Sequence, residues 1–438
     1  MNSTVTLPAS VDGLAGSYTT SVTYDAADHV TSTAYPKAGG LDAETVTTAY
    51  DDYGRPYRLT SSLGGTVYID DTAYDAYSRL VERDYGAELD TSGVRAQRQY
   101  TYDDSNGTRQ LKSIGTTTTI NELVSEAQED TYAYDLNGKL TELREQANGQ
   151  TAQSQCFQYD DQNRLTLAYT HATAGICADT TKSTSDFTGT APYQTAYTYD
   201  RLGNLQSLTD TDSTGKATTR DYLYPGYDDS GTWTTANTDP PHGVRQVNQV
   251  TSGTTTKAGS YTYYADGSMK QRVEGDTTTD YTWTQLARLA SVKTTKSTGS
   301  ELTRYTYDAD GNLLLRITPQ ETVASLGGTE LRTTDGDSAT ATRYYSLGAT
   351  TVAMRTSEAS TGTNGKVTYL MGDTQASTQI AVDATTGAAT RRRSSPSTAP
   401  DIIGMPYSRD QMTGIRFSQP RTRPEMAPTD WTSVQTEN

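Results

Sequence analysis

Three histidines (His29, His171 and His242), two cysteines (Cys156 and Cys177) and the closely spaced Asp308 and Asp310 are the residue types from which chemistry could be built. Metal ligation needs His or Cys at short, repeated spacing. The histidines lie far apart, and the cysteine spacing fits no zinc or redox motif. Asp308-Ala309-Asp310-Gly311-Asn312 begins as a calcium loop does. Leu313, however, stands where that loop needs its sharp-turn glycine, and Pro319 where it needs a bidentate glutamate. The segment therefore reads as a hairpin turn. Gly327-Gly328 leads into no Gly-Lys-Ser or Gly-Lys-Thr, so no phosphate loop is present, and nothing resembles a nucleophile elbow. Arg391-Arg392-Arg393 is the sole basic run and reads as a solvated strand end rather than a phosphate, partner or processing site. A non-catalytic chain with neither metal nor cofactor is the expectation.

The elements that carry these residues are clearer than any site. Arg304 to Ile317 reads RYTYDADGNLLLRI. Tyr305 and Tyr307 alternate with Thr306 and Asp308, the period of a strand with one aromatic face. Asp, Gly and Asn then supply turn chemistry, since Asp can bond nearby backbone N–H groups while Gly and Asn tolerate positive φ. Alternation resumes at Leu313, Leu315 and Ile317, and the alternation predicts that Tyr305, Tyr307, Leu313 and Leu315 share a packed face. The same hairpin recurs along the chain. Tyr24-Asp25, Tyr50-Asp51, Tyr74-Asp75, Tyr102-Asp103, Tyr134-Asp135, Tyr159-Asp160, Tyr199-Asp200 and Tyr307-Asp308 each end a strand-like run. Most are followed by a polar turn, then Arg, Lys or Asn, then Leu, as in Ser78-Arg79-Leu80 and Gly203-Asn204-Leu205. Two decayed copies begin at Tyr263-Tyr264 and Trp283-Thr284. Recurrence at intervals of mostly about 20 to 32 residues, with longer gaps of about 40 and 64 before Tyr199 and Tyr263, means repeated supersecondary units, none able to bury its apolar face alone. The aspartates recur with the period of the turns, which fits turn capping better than general-acid work.

The chain resembles the YD-repeat or RHS family, which includes bacterial Rhs toxins, the C components of insecticidal toxin complexes and the teneurins. The resemblance runs over roughly residues 15 to 393. Arg343-Tyr344-Tyr345-Ser346-Leu347-Gly348 and Tyr369-Leu370-Met371-Gly372-Asp373, followed by Ser377-Thr378, are similar to the family's C-terminal core signature, with Gln375-Ala376 standing in its His/Gly region. Pro241-His242-Gly243-Val244 resembles a linker of actinobacterial members. The resemblance implies an all-β fold in which antiparallel hairpins form a continuous spiralling sheet of YD-shell, β-cage type. Such spirals close into a hollow shell that, in toxin members, surrounds a toxic C-terminal domain. Many members also carry an aspartate-dependent self-cleavage site in the core. No pattern here matches that element, so the chain is expected to remain one 47.4 kDa species.

Composition agrees with a thin sheet. Hydrophobic residues make up only 33%, and 32 Tyr stand against 3 Phe. Tyr buries a large ring while its hydroxyl stays at a wet edge, and threonine runs such as Thr116 to Thr119 fit exposed sheet faces. A net charge of −17 argues against nucleic acid. No apolar run approaches the ~20 residues of a membrane span. The N-terminus lacks a signal peptide, and a piece of a longer exported or cell-surface protein is the expectation. In such a protein the even cysteine count favours a Cys156–Cys177 disulfide over two unpaired thiols.

Three regions are expected: a repeat array over 1–342, a core-associated segment over 343–393 and a divergent tail over 394–438, disordered or loosely docked. A proline-bearing surface loop is expected at Asp239-Pro240-Pro241, within the least strand-like stretch, and a longer insert runs from His171 to Pro192. The leading function is an incomplete structural shell whose partners are a toxin cargo or further shell segments. The alternative is a surface- or wall-associated carbohydrate-binding repeat module with glycans as partner.

Overall fold

The computed structural model describes residues 1–391 apart from 12, 88–93, 106, 179–186, 226–241, 335–337, 359–361 and 375–377. The expected tail over 394–438, the Asp239-Pro240-Pro241 loop, the middle of the His171–Pro192 insert, Gln375-Ala376-Ser377 and Arg392-Arg393 lie outside these residues.

The chain is all-β. Among the described residues thirty strands form one sheet, and each of them pairs antiparallel with the next in sequence, from Asn2–Leu7 against Gly16–Tyr24 to Thr378–Asp383 against Ala389–Arg391. Among the described residues the only helical piece is the turn Ile176–Ala178, and no helix is long and apolar enough to cross a membrane.

Each Tyr-Asp pair ends a strand at a bulge. Tyr307 pairs with Leu313, and the register shifts between Thr306 and Tyr307. The same shift precedes Tyr24, Tyr50, Tyr74, Tyr102, Tyr134, Tyr159, Tyr199, Tyr263 and Trp283. A bulge adds twist to the pair it interrupts, and a bulge in every repeat gives a sheet that curls. The shift also overturns the simple alternation. Arg316 stands opposite Tyr305 and Leu315 opposite Thr306, so Leu315 is buried away from the Tyr305 column. Nor is the threonine run exposed: Thr116 and Thr118 are buried.

Curling brings the two ends of the chain together in two layers. Val46, Leu59, Tyr68, Ile69 and Tyr85 pack with Tyr345, Val352, Val367, Tyr369 and Ile380 in one apolar cluster. Leu7, Leu14 and Leu41 pack with Leu315, Leu326 and Leu331 in a second. Strands from Leu123–Tyr134 to Gly299–Tyr307 form an arc between these layers. The described clusters of the arc join only neighbouring strands: Tyr222, Tyr224, Val247, Tyr261 and Met269 in one, Cys156, Tyr169 and Cys177 in the other.

Candidate functional site

The recurrent turn is built by its aspartate. Asp51 Oδ1 accepts from the backbone N–H groups of Tyr53 and Arg55, and its Oδ2 from Arg55 Nε at 2.7 Å. Asp75, Asp160 and Asp200 repeat this pattern with Arg79, Arg164 and Asn204. Asp135 makes the two backbone bonds, and Asp308 accepts from Asn312 through both backbone and side chain. Burial would raise the carboxyls of Asp51, Asp75 and Asp308, but the N–H groups they accept from hold them below the usual range. The backbone N–H of Arg164 does the same for Asp160. Asp51, Asp75, Asp160 and Asp308 are thus turn caps in their ionised form. Gly311, at the third place after Asp308, has φ +89°. A Cβ there would also run into the Arg288 guanidinium of the preceding repeat.

That overlap shows how repeats are joined. Where a basic residue closes the turn, four places after its first residue, it lies on the leading tyrosine of the next repeat. Arg55, Arg79, Lys139 and Arg164 sit over Tyr74, Tyr102, Tyr159 and Tyr199, 4.1–5.0 Å from the ring centroids. Arg288 sits over Tyr307 at 5.5 Å, and His29 stacks on Tyr50 at 4.7 Å. Each ring then donates its hydroxyl backwards. Tyr50, Tyr74, Tyr159, Tyr199 and Tyr307 bond the carbonyls of Val30, Pro56, Leu140, Leu165 and Leu289 at 2.8–2.9 Å. Trp283 does the same through its indole N–H to Met269. Tyr224 also belongs to this column, bonding Leu205. Sequence reading misses it because Pro225 follows it instead of Asp.

Where the layers overlap, a charged seam is buried. Glu44, Arg343 and Arg355 are each no more than 2% exposed. Glu44 Oε2 accepts from Arg343 Nη1 at 2.7 Å and from the Tyr345 hydroxyl at 2.6 Å. Its Oε1 accepts from Tyr68 and Ser61. Arg355 donates to Tyr68, Thr66 and the Asn364 carbonyl, and the Tyr68 and Tyr345 rings stack at 4.0 Å. Burial pushes the Glu44 carboxyl up, but hydrogen bonds from Ser61, Tyr345 and Tyr68 and the nearby Arg355 guanidinium outweigh it and leave it below the usual range. A second buried carboxylate behaves oppositely. Asp130 accepts from Gln128 and Gln379 at 2.8 Å, and Gln379 in turn accepts from Arg98. With no cation in direct contact, burial raises the Asp130 carboxyl. Arg343 and Tyr345 fall in the core-like stretch that the sequence singles out, but nothing in the sequence marks Glu44 or Asp130, because their roles depend on contacts about 250 to 300 residues away.

Cys156 and Cys177 are joined as a buried disulfide with Cα atoms 5.0 Å apart. Beside it, Glu142 accepts from Ser154 and from the Gly175 N–H, holding the loop that carries Cys177. The histidines serve three separate places. His29 caps a turn with Asp25, His171 accepts from Thr173 N–H, and His242 bonds Asn204. Among the described residues no three His, Cys, Asp or Glu side chains converge as a metal site would require.

No family model matches the chain, and no curated protein matches it. Solved structures do. The crystal structure of TcdB2-TccC3-Cdc42 aligns over 87% of this chain with a TM-score of 0.62 at 18% identity. That of TcdB2-TccC3 aligns over the same share with a TM-score of 0.61 at 18% identity. The chain spans 18% of the length of either. At that identity the likeness concerns architecture, and it establishes an RHS-like fold: a spiral of antiparallel hairpins of the kind that walls a YD shell.

Proposed function

We propose that this chain is a non-catalytic wall portion of an RHS/YD-type shell that encloses or presents a C-terminal toxin domain. It would be exported or displayed as part of a longer protein, with that cargo or further wall segments as its partners. The observation that carries the reading is the way the sheet returns on itself. Strands near Glu44 and strands near Arg343 are locked face to face, while a thin arc runs between them. A one-layer wall of this kind has a large surface for its residue count, and the aspartates of its repeats cap turns while Glu44 lies in the buried seam. The acidic net charge of −17 offers no footprint for nucleic acid. The actinobacterial type is proposed on the Pro241–Val244 linker alone.

The test starts from the coding DNA downstream. A toxin-like reading frame there, whose product resists added protease when co-produced with this wall, is the expected result. A domain digested at the same rate with and without the intact wall would refute the proposal. A glycan-binding module is a second reading, favoured by Tyr53 and Tyr77, which stand 83% and 56% exposed at successive turns. Aromatic platforms of this kind stack on sugar rings. Glycan-array binding abolished by Tyr53→Ala with Tyr77→Ala would support it, and an empty array would remove it.

A further inference from the structure

Among the described residues the turn-edge contacts between repeats, though not the strand pairing, are missing at the Tyr134 step, and that place is a boundary. The turn after Tyr102 is longer than the others, and its closing bond runs from Asp103 N–H to the Gln110 carbonyl. Gln110 therefore occupies the position that Arg79 and Lys139 hold in the neighbouring turns. Its side chain lies across the next turn as theirs do, since a Cβ on Gly138 would meet Gln110 Nε2 at 3.1 Å. A neutral amide thus stands where neighbouring steps place a cation. Among the described residues Tyr134 has neither a cation over its ring nor a hydroxyl bond to the preceding repeat. Other steps without a cation keep the bond, as Tyr224 and Trp283 do.

The strand ending at Tyr134 is also where the second layer stops. Its Asp130 is tied through Gln379 to a strand of the other layer, and Ile120, just before it in the chain, packs near Gly387. Beyond Tyr134 the arc is single-layered. One end of this strand is held and the other is unlatched.

We propose that the step from Tyr102 to Tyr134 is a built-in joint of the wall, at which the single-layered arc swings against the double-layered end. The joint exists whatever the wall encloses, so this inference does not depend on the shell reading. The pivot is the Asp130–Gln379 contact, and the side that lacks a cation and a hydroxyl bond to the preceding repeat is the Tyr134 turn. The swing is a flexing of the sheet rather than a break in it, because Leu111–Ile120 stays paired to Val94–Tyr102 on one side and to Leu123–Tyr134 on the other.

The test is a distance measurement on the whole chain. Nitroxide labels at exposed Ser105 and Leu136 span the joint, and labels at Leu136 and Gln162 span the next step, which Lys139 and Tyr159 close. The expected distribution across the joint is about twice as broad as across the control. Gln110→Arg, which restores a cation over Tyr134, should narrow it to the control width. Amide exchange at the Tyr134 turn should be about tenfold faster than at the Tyr159 turn in the unaltered chain, and should fall to match it in Gln110→Arg. Equal widths and equal exchange in the unaltered chain would overturn the proposal. So would a broad distribution that Gln110→Arg leaves unchanged while the thermal transition shows the variant folded.

Discussion

The double-layered end and the single-layered arc are made from the same hairpin, yet they are held together differently. In the end, apolar side chains from strands remote in sequence fill two clusters, with Glu44, Arg343 and Arg355 sealed between the layers. In the arc, described clusters are small and local, and repeats cohere through ring, cation and hydroxyl contacts along the turn edge. The disulfide falls in the arc, where burial is thinnest. A repeat array of nearest-neighbour contacts gains stability unit by unit, whereas the layered end gains it only once the chain has returned on itself. The two regions should therefore respond to different perturbations.

The largest effect is expected at the seam. Arg343→Ala leaves Glu44 buried without its nearer guanidinium, at 2.7 Å against 3.6 Å for Arg355, and breaking a buried pair this way costs about 3–5 kcal/mol. The loss should appear in the layered end, measured as a shifted denaturation midpoint with exchange rising there first. A change below about 1 kcal/mol would mean that the layers are held by apolar contact alone. The same seam sets the response to acid. Glu44 has a depressed carboxyl, so its contribution is present above about pH 4.3 and is lost as pH falls through its folded value. Asp130 has a raised one. Its contribution is full below about pH 3.9 and is lost as pH rises through its folded value. Glu44→Gln should therefore flatten the acid limb of a stability–pH profile, and Asp130→Asn the limb above it. If both variants flatten the same limb, the assignment of opposite signs fails.

Next comes the disulfide. Cys156 and Cys177 lie 21 residues apart, and in the chain-entropy model closing such a loop stabilises by about 3 kcal/mol. Cys156→Ser should lower the transition of the arc and leave exchange in the layered end unchanged. An equal loss in both regions would show that they unfold as one unit and erase the contrast drawn above.

Much of this was legible in the sequence, and the boundary of legibility has a physical cause. Tyr-Asp pairs, turn glycines and alternation are local, so the hairpins, their order and the all-β class can be read directly. The turn role of Asp51 or Asp308 is local as well, because donor and acceptor lie four residues apart. The stacking of Arg79 on Tyr102 joins neighbouring repeats, and its signal was present as the recurrent basic residue before Leu, although its partner was not. Glu44 and Asp130 carry no such signal. One sits in a Thr-rich strand and the other beside further acids, and only the return of the sheet decides that these two carboxylates, rather than the many exposed ones, are buried. Bulges escaped for a related reason: they are a register property of two strands, and they moved Leu315 off the face that alternation assigns to it.

The smallest effects test the arc repeat by repeat at Tyr307. Its ring is half-buried between Arg288 and its own strand pair, so Tyr307→Ala should cost about 2 kcal/mol, less than a fully buried aromatic. Tyr307→Phe keeps the ring and removes only the 2.9 Å bond to the Leu289 carbonyl. That carbonyl lies near the turn edge, where water can replace the hydroxyl, and the cost should be about 1 kcal/mol. Thr306→Ala alters an exposed side chain and should cost under about 0.5 kcal/mol. The ordering matters more than the values. If Tyr307→Phe costs as much as Tyr307→Ala, the hydroxyl bond rather than ring packing links one repeat to the next. If Thr306→Ala matches either, the turn-edge column is not what holds the arc together, and the arc must draw its stability from the layered end after all.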